Sequence, residues 1–151
     1  MKPPLVIGIG NPTRGDDGAG QQVVKALARL LPWGSYQLVQ QLTPELAEDI
    51  AAAREVIFVD ASVEARSLSI VTVTPGEMPA GSHSVTPGGL LALAQQVYGT
   101  LPDRALAVAI PAYDLSFSNE LSAGTARWVR EAVRQLEAWL GGERIDIPLL
   151  H

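Results

Sequence analysis

The chain contains no cysteine. That absence excludes disulfides, thiolate metal sites and a Cys nucleophile together. Histidine is nearly as scarce, with only His83 and His151 present. No two histidines lie four residues apart, so the HExxH zinc arrangement is not available. No apolar run approaches the roughly 20 residues that a membrane helix requires. The opening segment MKPPLVIGIGNP is interrupted by Gly and Asn too early for a signal peptide and reads as a strand. These absences predict a cytoplasmic protein with no membrane partner. Basic residues are in deficit, 11 Lys and Arg against 16 Asp and Glu, giving a net charge of -5. An acidic chain suits phosphate backbones poorly, so no nucleic-acid partner is expected. Repeats, low-complexity tracts and linkers are also missing.

What is present is ordinary globular material. The 151 residues are 47% apolar and 18% charged, enough for one domain, residues 1–151, with a real core. Leu5 to Ile9 is a short apolar run that Gly10-Asn11-Pro12 ends, as for a buried strand. Asp16 can cap a helix beginning near Asp17, with Val23, Val24, Leu27, Leu30 and Leu31 on its apolar face and Pro32 as its stop. Tyr36 to Gln41 suits a second strand, and Thr43-Pro44 suits the start of a short helix carrying Leu46 and Ile50. Val56 to Val59 reads as a central strand ending at Asp60. Leu68 to Val73 suits an edge strand, and its short connection predicts antiparallel pairing with the strand before it. Thr86-Pro87 opens a helix with Leu90, Leu91, Ala94, Val97 and Tyr98 at helical spacing. Ala105 to Ile110 is the last strand, and Ser122 caps a long final helix that Gly141 closes. The alternation predicts an α/β fold: a three-layer sandwich, with a mostly parallel twisted sheet of about five strands and helices on both faces. Ligands of such sheets bind beyond the C-terminal ends of the strands.

Three positions at that edge could carry chemistry. The loop Gly8-Ile9-Gly10-Asn11-Pro12-Thr13-Arg14-Gly15-Asp16-Asp17-Gly18 follows a strand and opens a helix. Thr13 stands where a dinucleotide loop needs Gly, and two carboxylates at a helix start repel a phosphate. The loop presents acid. A structural reading makes Asp16 a helix cap and Asp17 a partner of the helix dipole. Asp60 is a carboxylate at the end of an apolar strand, where it needs a cation or hydrogen-bond donors, or serves only to end a turn. His83, between Ser82 and Ser84, is either a polar loop residue or a nitrogen ligand. Two oxygens and one nitrogen with open positions would suit a divalent metal. His151, at the chain end, is given no role.

The opening Gly8 to Gly18, the pair Val59-Asp60, His83 before a helix, and Ile110-Pro111 through Asn119-Glu120-Leu121-Ser122 together resemble the hydrogenase maturation proteases. The likeness spans nearly the whole chain. It implies an endopeptidase that removes a short C-terminal extension from the nickel-loaded precursor of a hydrogenase large subunit. In that family a carboxylate after the glycine-rich turn, an aspartate ending a strand and a histidine bind metal. These roles map to Asp17, Asp60 and His83, as metal ligands and catalytic residues. Many relatives carry Glu at the first position, and Asp16 stands beside Asp17 as the alternative. Relatives often have Gly after the second aspartate, where this chain has Ala61. Asn11, Thr13, Arg14 and Asp16 are candidates for contact with the precursor. The resemblance implies nickel supplied by the precursor and leaves room for another divalent metal in the free enzyme.

Two other functions compete. One is a non-catalytic nickel-binding or chaperone module using the same site. The other is a peptidyl-tRNA hydrolase-like enzyme, whose opening is similar. That family needs a His-Asn element where this chain has Arg14-Gly-Asp-Asp-Gly18, and the acidic pI of about 4.9 disfavours tRNA.

Overall fold

In the computed structural model, residues 2–76 and 85–142 are described. Five strands form one sheet in the order β2-β1-β3-β5-β4. They are β1 (Leu5–Ile9), β2 (Ser35–Val39), β3 (Glu55–Ser62), β4 (Ser69–Thr72) and β5 (Arg104–Pro111). The helices are α1 (Ala19–Leu30), α2 (Leu46–Ala52), α3 (Pro87–Tyr98) and α4 (Ala123–Leu140). β1, β2, β3 and β5 are parallel, and β4 alone runs antiparallel.

Side chains alternate across a strand, so each buried strand feeds two cores. Leu5, Ile7, Ile9, Val56 and Phe58 face one side, where α2 and α3 bring Leu46, Ile50, Leu90 and Leu91. Val6, Ile57, Val59, Leu106 and Val108 face the other, where α1 and α4 bring Val23, Val24, Leu27 and Leu136. The result is the expected three-layer sandwich. No helix among the described residues is long and apolar enough to cross a membrane.

Several local expectations are corrected. β4 pairs with β5 and not with β3 (Ser69 opposite Ala109), because β5 has taken the place beside β3. The first helix starts at Ala19 after a 3-10 turn at Gly15–Gly18; Gly18 is its N-cap, and Asp16 does not cap it. α2 begins at Leu46, one turn after Thr43, with no side-chain cap. Leu30, Val97 and Tyr98 are exposed, since each lies near a helix end beyond the sheet's cover. Thr86 and Ser122 do cap, accepting from Gly89 N at 3.0 Å and Thr125 N at 3.3 Å. β3 runs two residues past Asp60, so that aspartate lies within the strand.

Candidate active site

Parallel pairing sets Ile9 of β1 beside Asp60 of β3, and Asp60 beside Ala109 of β5. Asp60 shares the face of Phe58, so its carboxylate points toward the α2 and α3 side. There it meets a cleft of about 870 Å³ at the C-terminal edge of the sheet, lined by Gly10, Asp17, Phe58, Asp60, Val85 and Thr86, among others. A second cavity of about 470 Å³ opens at the opposite edge around Leu91, Leu106 and Trp139, and it holds no pair of carboxylates.

Asp17 reaches the cleft because the chain doubles back after β1. Gly10 makes this possible: its φ is +139°, and a Cβ there would lie 1.9 Å from the Asp17 carbonyl oxygen. The Asn11 N–H donates to Asp17 Oδ2 at 2.7 Å. Buried Gln21 fixes the same turn by donating from Nε2 to the Gly10 carbonyl at 2.9 Å, while Gly10 N donates to Val39 O at 2.9 Å. Asp17 is half-buried, and one carboxylate oxygen has no partner among the described residues.

Asp60 carries the electrostatic mark of the site. Solvent reaches it through the cleft mouth, yet protein encloses most of its surroundings. That desolvation, with the negative charge of Asp17, pushes its pKa up to about 6, while a hydrogen bond from Ala61 N–H only partly offsets the rise. The negative charge of Asp17 adds to the cost of ionising Asp60, a cost that a divalent ion at the pair would relieve. Among the described residues no group of three such ligands is assembled. His83 lies outside the described residues, in the stretch that joins Gly76 to Val85. Its described neighbours Val85, Thr86 and Pro87 line the cleft. The structure thus brings Asp17 and Asp60 to one cleft and leaves His83 as an expectation.

Asp16, the alternative to Asp17, has a different task. It is fully buried. Oδ2 accepts from Tyr113 N at 2.8 Å, Asp114 N at 2.9 Å and Ser122 Oγ at 2.8 Å, and Oδ1 accepts from Ser122 N at 2.7 Å. Burial alone would raise its pKa, but these four donors outweigh it and hold the group at about 2. Asp16 is therefore a structural anion that ties the opening loop to the start of α4, and no face of it is left for a metal or a precursor. Asn11, Thr13 and Arg14 form the turn beside the cleft, with Thr13 and Arg14 exposed. Asn11 Oδ1 accepts from Thr13 N at 3.0 Å and Thr13 Oγ1 at 2.7 Å, so its side chain shapes the turn. Sequence reasoning missed Gln21 and the Asp16–Ser122 lock. An interior polar residue on the apolar face of α1 was the one available signal for Gln21.

No protein-family model matches the chain, and no curated protein matches it. Solved structures do. A hydrogenase 2 maturation peptidase from a Thaumarchaeota archaeon is 26% identical, with 94% of this chain and 100% of that one covered and a TM-score of 0.66. The hydrogenase maturating endopeptidase HybD from E. coli is 24% identical, with 92% of each chain covered and a TM-score of 0.72. A [NiFe] hydrogenase maturation protease, HycI from Thermococcus kodakarensis, is 17% identical at a TM-score of 0.69, with 93% and 94% covered. Over almost the full length of both partners the chain is thus similar in fold to solved hydrogenase maturation proteases, and it combines that fold with an acidic glycine-rich opening and a pair of carboxylates in the cleft.

Proposed function

We propose that the protein is an endopeptidase that trims the C-terminal extension from the nickel-loaded precursor of a hydrogenase large subunit. The observation that carries the reading is the Asp17–Asp60 pair in one cleft, with Asp60 held near a pKa of 6. Nickel arrives as part of the substrate. Asp17 and Asp60 supply it with two carboxylate oxygens, and His83 supplies a nitrogen. A dication between the two acids removes the charge that raises the pKa of Asp60, so recognition of the loaded precursor is built into the charge of the pair. A precursor without metal would bring no such compensation.

The reaction adds one water across one peptide bond. The C–N bond breaks, the large subunit gains a new carboxylate, and the proton from water ends on the amine of the released peptide. A carboxylate oxygen of the pair that is not bound to the metal would accept the proton from water and return it to the leaving amine. The chain's lack of cysteine removes a thiol nucleophile from consideration. The proposed location is the cytoplasm, with neither nucleic acid nor membrane as partner.

Variants test the assignment. Asp17→Ala and His83→Ala should abolish cleavage of the nickel-loaded precursor while the melting temperature stays within a few degrees of wild type. Normal cleavage by both variants would remove the metal-site assignment.

A further inference from the structure

The cleft that holds Asp17 and Asp60 continues past them. Asp60 lies between β1, which leads into Gly10 and Asp17, and β5, where its neighbour in register is Ala109. Ala109 is in turn opposite Ser69 of β4. One row back on the same face, Phe58 lies beside Ala107, and Ala107 lies opposite Val71. All of these residues line the cleft, so the carboxylate pair and the floor on its β5 side belong to one cavity of about 870 Å³.

The two faces of β5 are built differently. Toward α1 and α4 it sends Leu106, Val108 and Ile110, each at most 2% exposed. Toward the cleft it sends Ala107 and Ala109, which remain half-buried. Ala105, earlier on that face, is buried in the core that contains Leu90 and Leu91 of α3. Cover over this face therefore stops between Ala105 and Ala107. Two methyl groups leave room above the sheet that Val or Leu would take up, and α3 opens with Pro87, Gly88 and Gly89, which bring little side chain to fill it. Among the described residues, Asp17 and Asp60 are the only charged side chains that line the cleft, and neither belongs to β4 or β5.

Spacing limits what reaches this floor. Neighbouring strands lie about 4.8 Å apart, and side chains on one side of an extended chain recur about every 7 Å. A peptide whose carbonyl sits at the Asp17–Asp60 pair therefore sets over Ala109 a side chain from within about two residues of that carbonyl.

We propose that the floor of Ala107 and Ala109 is the subsite for an uncharged aliphatic side chain of the precursor, borne by one of the two residues on either side of the scissile bond, and that Ala109 limits its size. This rests on the endopeptidase reading above. The occupant is the precursor because floor and carboxylates share one cavity, so a chain held at the pair passes over Ala109. A charged side chain there would leave water for an apolar floor that offers it no partner of opposite sign.

The test uses Ala109→Leu, which fills the floor beside Asp60, and Ala107→Val, which fills it one row away. Ala107→Val leaves the neighbour of Asp60 unchanged and carries the test should Ala109→Leu fold poorly. Each is given the natural nickel-loaded precursor and precursors in which the two residues on either side of the cleaved bond are replaced, one at a time, by Ala or by Asp. On the natural precursor both variants should lower kcat/KM about tenfold or more, with a melting temperature close to that of wild type. At one position the Ala precursor should be cut about equally by wild type and by Ala109→Leu, and the Asp precursor should be cut about tenfold or more worse by wild type. Wild-type kcat/KM in both variants overturns the proposal. A loss that no shortened precursor side chain relieves overturns it as well, since that assigns the effect to a displaced Asp60. Binding of the loaded precursor is measured beside cleavage, so that the two readings fail separately. A wild type that binds without cutting removes the endopeptidase reading, and the subsite then stands only if both variants weaken that binding about tenfold. A wild type that neither binds nor cuts overturns both.

Discussion

Asp16→Asn keeps the shape of the side chain while removing its charge and one acceptor. In the native fold both oxygens receive buried donors, Tyr113 N, Asp114 N and Ser122 Oγ at one and Ser122 N at the other. Either orientation of the new amide therefore points an NH₂ group at a backbone N–H. A hydrogen bond to a buried charged group contributes roughly 1.5–3 kcal/mol, and neighbouring bonds do not add fully. The pKa supplies an independent figure: lowering from 3.8 to about 2 corresponds to about 2 kcal/mol. A loss of about 3 kcal/mol near neutral pH follows, which lowers the melting temperature by roughly 6–12 °C in a chain of this size. The sign with pH is definite. The folded state binds the Asp16 proton more weakly than the unfolded chain does, so this stability is complete above the ordinary value of 3.8 and disappears as pH falls through about 2. The gap between wild type and variant should narrow in acid. Thermal and urea denaturation followed by circular dichroism measure it, and hydrogen exchange should quicken at the amides of Tyr113, Asp114 and Ser122. A variant melting within about 1 °C of wild type at neutral pH would refute the lock, given the roughly 2–4 °C per kcal/mol expected.

Asp60→Asn should behave oppositely in stability. The folded pKa of Asp60 is raised to about 6, so wild type loses stability as pH rises from 3.8 through 6, and the neutral variant should be the more stable protein at pH 8 and equal to it near pH 4. Melting curves at both pH values decide this, and a less stable variant at pH 8 would contradict it. The same ionisation should give kcat/KM for precursor cleavage an acid limb near pH 6, absent from any assay of precursor binding that does not involve the cleft. Gly10→Ala removes no donor or acceptor, yet its Cβ would meet the Asp17 carbonyl at 1.9 Å. Displacement of Asp17 by about 1 Å should lower cleavage on the order of 100-fold; full activity in this variant would show that Asp17 need not hold its position.

Features with local causes were legible in the sequence. The bounds of β1 follow from an apolar run that ends in a glycine turn, and Thr86 and Ser122 cap because each accepts from a donor three residues on. The three layers followed from the alternation of strand and helix. What was not legible depends on distant partners. β4 was expected beside β3, the strand that precedes it, but the sheet order is decided by which strands bury best between two helical layers, and β5 won that place. Asp16 looked like a cap because its neighbours in sequence suggest one, whereas its partners lie 97 to 106 residues on. Gln21 bonds a carbonyl 11 residues back, for which periodicity has no signal. The sheet-edge rule puts Asp17 and Asp60 at one edge of the sheet, but their convergence on one cleft depends on the turn at Gly10, which the sequence pattern does not specify. His83 lies outside the described residues.

The most direct test of the central claim is intact mass spectrometry of a hydrogenase large-subunit precursor incubated with this protein, once loaded with nickel and once without. The account predicts that only the nickel-loaded precursor loses a short C-terminal peptide, with the large subunit gaining the mass of a water-derived carboxylate end. A loaded cognate precursor that binds but keeps its full mass would contradict it, and would make the protein a nickel-binding assembly module.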